Sequence, residues 1–70
     1  MFYMIDIAKK IKELRAEKGL TQKEVSCGLH IARNTLSQYE TGIALPSIEV
    51  LIQIAKYFEV TTDYLLGLED

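Results

Sequence analysis

Four side chains in the segment RNTLSQYETG, residues 33–42, carry hydrogen-bonding chemistry at a suggestive spacing: Arg33, Asn34, Ser37 and Gln38. Arginine can donate twice to guanine O6 and N7. Asparagine and glutamine can pair with adenine N6 and N7, and serine can donate or accept at either kind of base. On a helix with Leu36 and Tyr39 turned inward, Arg33 and Ser37 stand four apart on one outer side, as do Asn34 and Gln38. The start of a helix also favours a nearby phosphate. A plain solvated face would use the same polar residues, and composition does not choose between the two.

So short a segment does not hold a helix by propensity alone, so the rest of the chain must supply the packing. From Asp6 to Lys18, Ile7, Ile11 and Leu14 recur at helical spacing with Ala8 beside the stripe, and most other positions are charged. Asp6 is placed to cap this helix and Gly19 to stop it. Thr21 and Glu24 form a T-x-x-E capping box, which opens a second, short helix whose stripe continues through Val25 and Leu29. Gly28 lowers its propensity near the end, where the cost is smallest.

His30 and Ile31 interrupt the pattern, and a third helix runs from about Arg33 to Glu40. Thr41 to Pro46 read as a loop, and Ser47 as the cap of a fourth helix spanning about 47–58, with Leu51, Ile54, Ala55 and Phe58 on its apolar face. Thr61 begins a last helix, about 61–66, that contains Tyr64, Leu65 and Leu66 and ends at Gly67. No segment alternates long enough to read as a strand. The expectation is one all-α domain over residues 1–70, with five helices and a helix-turn-helix at about 21–40. Its core should hold Leu14, Leu20, Val25, Leu29, Leu36, Tyr39, Leu51, Ile54, Ala55 and Leu65.

Seventy residues leave room for a single core, and 49% hydrophobic with 26% charged residues argues against a disordered chain. One cysteine, Cys27, permits no internal disulfide and fits a reducing compartment. No apolar run approaches the ~20 residues of a membrane span, and MFYMI is too short for a signal peptide. A soluble cytoplasmic protein is expected, with no membrane role.

The net charge of −2 conceals an asymmetry. Lys9, Lys10, Lys12, Arg15 and Lys18 outnumber Asp6, Glu13 and Glu17 in the first helix region, whereas Lys56 faces Glu49, Glu59, Asp63, Glu69 and Asp70 in the last third. A nucleic-acid surface built from the first half is compatible with that distribution, as is an ordinary mixed-charge surface.

Catalysis finds little support. Cys27 and His30 alone do not complete a metal site, and the motifs of phosphate-binding loops, zinc proteases and serine hydrolases are missing. Ser26, Cys27 and His30 share a short segment without an acidic residue in an evident orienting role. The carboxylates Glu69 and Asp70 sit at the end of the chain, where solvation is expected. No enzyme activity, cofactor or metal is expected.

LTQKEV at residues 20–25, RNTLSQYETG at 33–42, Pro46-Ser47 and the ending LIQIAKYFEVTTDYLLG occur together in one order and spacing. In this combination the chain resembles the bacterial and phage repressors of the lambda repressor and Cro type, the Xre-like helix-turn-helix proteins, from Ile7 to Leu66. The resemblance implies a transcriptional regulator, and specifically a repressor, that binds double-stranded DNA. It implies that Arg33, Asn34, Ser37 and Gln38 face the major groove. Gln22 would contact the phosphate backbone and buttress the side chain opposite, and Thr41, Gly42 and Ile43 would lie where the loop approaches phosphates. Arg15 and Glu40 match the family's partly buried ion pair. His30 stands where the family usually has glycine, and Ala32 where it usually has a Ser or Thr cap.

One recognition helix reads too few base pairs to find a site in a genome, so two copies on a palindromic operator are expected, with half-sites about 34–36 Å apart. Tyr64, Leu65, Leu66 and Leu68 are more apolar residues than one side of a short helix can bury, which makes them the expected homodimer surface. The competing function is a protein-interaction module of antitoxin or antirepressor type, for which the acidic last third offers a second surface. Fold alone does not decide between them.

Overall fold

The computed structural model describes residues 7–68; the expected cap Asp6 and the terminal Glu69 and Asp70 lie outside them. Five helices follow one another: α1 (Ile7–Glu17), α2 (Gln22–Leu29), α3 (Arg33–Thr41), α4 (Ile48–Phe58) and α5 (Thr62–Leu65). The described residues form no strand.

The capping signals act where the sequence puts them. The Thr21 hydroxyl accepts from the Glu24 amide at 3.1 Å, and the Glu24 carboxylate accepts from the Thr21 amide at 2.8 Å, closing the capping box. Ser47 and Thr61 accept from the amides of Val50 and Tyr64 in the same way. Gly42 ends α3 in the left-handed region at φ 82°, where a side chain would be strained.

α3 lies against both α1 and α2, while α4 closes on α2, and α5 fills the gap between α4 and α1. Leu36 and Tyr39 turn inward from α3 and meet Ile11, Leu14, Val25, Leu29, Ile54, Phe58 and Leu65 in one core. Complete burial of side chains such as Leu36 and Ile54 stabilises the fold by ~1.5–3 kcal/mol each. Ile7, Ile11 and Phe58 belong to this core in addition to the expected set, whereas Leu20 and Leu51 are half-buried at its edge.

The expectation for α5 needs correction. Leu65 is 0% exposed, so it belongs to the core and offers nothing to a partner. Tyr64 and Leu66 are half-buried against that core, and the Lys10 ammonium covers the Tyr64 ring 4.4 Å from its centre. The cause is topological: α5 packs against two helices, so more than one of its sides is covered. Of the expected dimer surface, Leu68 alone is well exposed.

Candidate nucleic-acid interface

The Leu36 and Tyr39 anchors fix the rotation of α3, and the remaining sides follow from it. Arg33 and Asn34 emerge exposed in its first turn, with Ser37 and Gln38 half-buried one turn later. Arg33, Asn34 and Ser37 line a shallow open cleft of about 270 Å³, and Gln22 from the first turn of α2 forms its other wall. Side chains remote in sequence therefore share one surface. Gln38 is not among the lining residues and sits further along the helix.

The turn between α2 and α3 contains both departures from the usual family pattern. His30 keeps the left-handed conformation at φ 58° and ψ 40°, and its amide donates to the Cys27 carbonyl. Ala32 provides no side-chain cap, so α3 begins without the hydroxyl that closes α2, α4 and α5. Its start is held by packing and remains open to an anion.

Behind the cleft lies the expected ion pair. Arg15 Nε is 2.8 Å from Glu40 Oε2 and Nη2 is 3.0 Å from Oε1, while Nη1 donates to the Leu20 carbonyl at 3.1 Å. Gln22 Nε2 also donates to Glu40 Oε1, at 3.1 Å. Burial works to raise the Glu40 carboxyl, but the hydrogen bonds from Arg15 and Gln22 and the charges of Arg15 and Lys12 outweigh it. The group ends below its ordinary value and stays ionised. The hydrogen bond to Glu40 raises the Arg15 guanidinium further against a smaller opposing effect of burial. The side chain that Gln22 meets is thus Glu40.

Thr41, expected in the loop, is the last residue of α3; it and the following Gly42 and Ile43 are exposed, but the amides of Gly42, Ile43 and Ala44 already donate to the carbonyls of Gln38 and Tyr39. The Thr41 hydroxyl, now donating to the Gln38 carbonyl at 3.2 Å, is the group there that can turn toward a phosphate. The side chain of Ile43 is 77% exposed and apolar, and Leu45, Ile48 and Ile52 extend that exposure along the loop and α4. This apolar surface was not expected from the sequence. Its signal was the excess of apolar residues in IEVLIQIAKYF over what one face of a helix can bury.

The model of a helix-turn-helix family matches residues 11–65, most of the chain. The chain belongs to the Cro-type, Xre-like helix-turn-helix family. It is 38% identical over 66 residues to the HTH-type transcriptional regulator ImmR of Bacillus subtilis, covering 94% of this chain and 52% of that one. It is also 38% identical over 53 residues to the cryptic phage CTXphi transcriptional repressor RstR of Vibrio cholerae, covering 76% and 48%. The chain thus spans about half the length of these two relatives. Among solved structures, a transcriptional regulator from Listeria innocua superposes with a TM-score of 0.89 at 29% identity, over 97% of this chain and 64% of that one. The P22 c2 repressor, crystallised with a synthetic operator, shares the fold at a TM-score of 0.85 and 21% identity, over 96% and 100% of the two chains.

Among the described residues, no cluster of three or more His, Cys, Asp or Glu side chains is arranged to hold a metal, and no helix is long and apolar enough to cross a membrane.

Proposed function

We propose that this chain binds double-stranded DNA sequence-specifically and regulates transcription, as a repressor acting in the cytoplasm. The observation that carries the reading is the cleft in which Arg33, Asn34 and Ser37 meet Gln22 on an exposed helix start locked from behind by Leu36, Tyr39 and Glu40. A rigid helix that presents a guanidinium, a carboxamide and a hydroxyl suits the edges of bases in a major groove. Gln38, next to Ser37 in the second turn, adds a carboxamide to the reading surface. Gln22 and Thr41 supply donors to the phosphates on either side, and Gly42 and Ile43 contribute close approach of the loop rather than amide donors.

Random-site selection with the purified protein tests this. Recovery of a shared sequence motif, bound with an affinity that falls steeply as salt rises, supports the reading. Retention of random sequence alone, with no motif enriched, contradicts it and favours an interaction module.

The assembly we propose is a homodimer on a palindromic operator. Its surface is formed by Ile43, Leu45, Ile48 and Ile52 instead of α5, whose leucine, Leu65, is in the core. Four uncharged side chains make a patch that is self-complementary across a two-fold axis, because apolar surface meets its own copy without a charge conflict. The patch begins at the end of α3 opposite the cleft and leaves the reading surface free. The acidic residues beyond that patch, Glu59 and Asp63, are exposed and remain available to a protein partner.

A further inference from the structure

Gln22 lines the cleft, and its carboxamide is hydrogen-bonded to Glu40. Glu40 is 4% exposed, and both its oxygens receive hydrogen bonds from Arg15. An ionised carboxylate only accepts, so the Gln22 carboxamide can meet it only through its NH2 group, at 3.1 Å. One amide hydrogen is consumed there. The second hydrogen of the same nitrogen remains to donate, and the side chain lines the cleft beside Arg33, Asn34 and Ser37.

We propose that Glu40 is a positioning residue for DNA binding, holding the Gln22 amide so that its second N–H donates to a phosphate in register with the base-reading side chains. The inference rests on the DNA-binding reading above. A glutamine held in this way loses its rotamer freedom on folding and not on binding, which is the general gain from preorganisation. A carboxylate near a phosphate would normally repel it. Here the Arg15 guanidinium neutralises Glu40 at hydrogen-bond distance, with Lys12 adding to the field, so the acceptor is present without a net negative charge. The relay runs from α1 through the C-terminal half of α3 to the first turn of α2, and links an ion pair behind the cleft to a contact at its rim.

The test is a double-mutant cycle on a duplex recovered by random-site selection with the wild-type protein. Gln22→Ala is measured in the wild type and in an Arg15→Met, Glu40→Leu background, because an apolar pair of similar volume can replace a buried ion pair without loss of folding. Gln22→Ala should weaken binding ~10-fold in the wild type, as expected for a charge-assisted hydrogen bond, and less than ~2-fold in the apolar background. An equal loss in both backgrounds overturns the positioning role and leaves the DNA-binding reading intact. No loss in the wild type, with Arg33→Ala still weakening binding, removes Gln22 as a phosphate contact and the inference with it.

Side-chain amide relaxation in the free wild-type protein keeps the test decisive if the apolar variant does not fold. The Gln22 NH2 should be as ordered as the helix backbone, unlike that of the exposed Gln53. A Gln22 amide as mobile as that of Gln53 overturns the proposal.

Discussion

A methyl group on Gly28 would sit 2.4 Å from Cε1 of Tyr57 and 3.0 Å from its Cζ and hydroxyl oxygen, so the ring of α4 lies directly over the missing side chain of α2. Tyr57 is further oriented by an edge contact with Phe58, the ring centres 5.1 Å apart. In a free helix, Gly→Ala gains about 1 kcal/mol. Here Gly28→Ala should lose that gain because the Tyr57 ring must move. In a Tyr57→Leu background the same substitution should stabilise by ~0.5 kcal/mol, less than the interior value because Gly28 stands near the end of α2. Thermal melts of the four proteins check it; an equal gain in both backgrounds would show that the ring yields freely.

The Arg15–Glu40 pair links stability to acidity. The folded carboxyl lies below its ordinary value, so its contribution is fully present above the unfolded value and is lost as pH falls through the folded one. Stability should be level above pH ~5 and decline toward acid on account of this group. Removing one partner of a buried pair costs ~3–5 kcal/mol, and the partial exposure of Arg15 places this pair near the lower end. A 70-residue domain has on the order of 4–10 kcal/mol in total, so Glu40→Ala should leave little reserve at neutral pH. Denaturant titrations at several pH values measure both effects, and an acid limb of unchanged size in Glu40→Gln would sink the assignment.

His30 and Glu59 both hold φ at 58°, a conformation that costs an ordinary side chain ~1–2 kcal/mol and glycine almost nothing. Glycine also loosens the unfolded chain, which offsets part of the gain. His30→Gly and Glu59→Gly should each stabilise by ~0.5–1 kcal/mol, raising the melting temperature by several degrees. Destabilisation by either one would mean that the native side chain makes a compensating contact.

The strain at His30 was legible because glycine is the usual residue at that turn, whereas Glu59 gave no comparable signal. Local chemistry in general was readable: Thr21, Ser47 and Thr61 cap their helices because a hydroxyl at that position meets a free amide whatever the fold. What crosses between helices was not. Which aromatic ring rests on Gly28, or which acceptor meets Gln22, depends on helix crossings that no periodicity encodes. Helix α4 shows the same limit. Its apolar residues include Ile48, Leu51, Ile52, Ile54, Ala55 and Phe58, too many for one face, and only packing decides that Ile48 and Ile52 are the ones left outside. At the cleft, the i, i+4 spacing placed Arg33 beside Ser37 correctly, while the separation of Gln38 from the lining residues came from the tertiary structure.

Base reading and backbone attachment should separate by mutation. Arg33→Ala and Gln38→Ala should relax sequence preference, each by ~1–3 kcal/mol of discrimination for a good bidentate contact. Gln22→Ala should weaken binding by a similar factor on preferred and altered sites alike. Binding measured across a panel of single-base operator variants distinguishes the two patterns. A uniform loss for Arg33→Ala would assign that residue to the backbone.

Assembly gives the last prediction. The molecule extends 36 Å along its longest axis and 21–23 Å across the others. Half-sites one helical turn apart, about 34–36 Å, match that length, so two copies on one operator come near touching distance. Ile48 and Ile52, four apart on one side of α4, are 77% and 43% exposed, and Ile43 and Leu45 stand on the loop leading into it. Exposed apolar residues in such proximity are unusual on a monomer that works alone. Ile48→Glu should abolish pairing while leaving the fold and the reading cleft untouched, since the side chain packs against nothing in the core. Leu68→Glu, at the surviving exposed position near α5, should pair normally. Sedimentation of each protein, free and on a duplex with two half-sites, gives the answer. Loss of pairing in Leu68→Glu with none in Ile48→Glu would return the interface to the C-terminal end of the described chain.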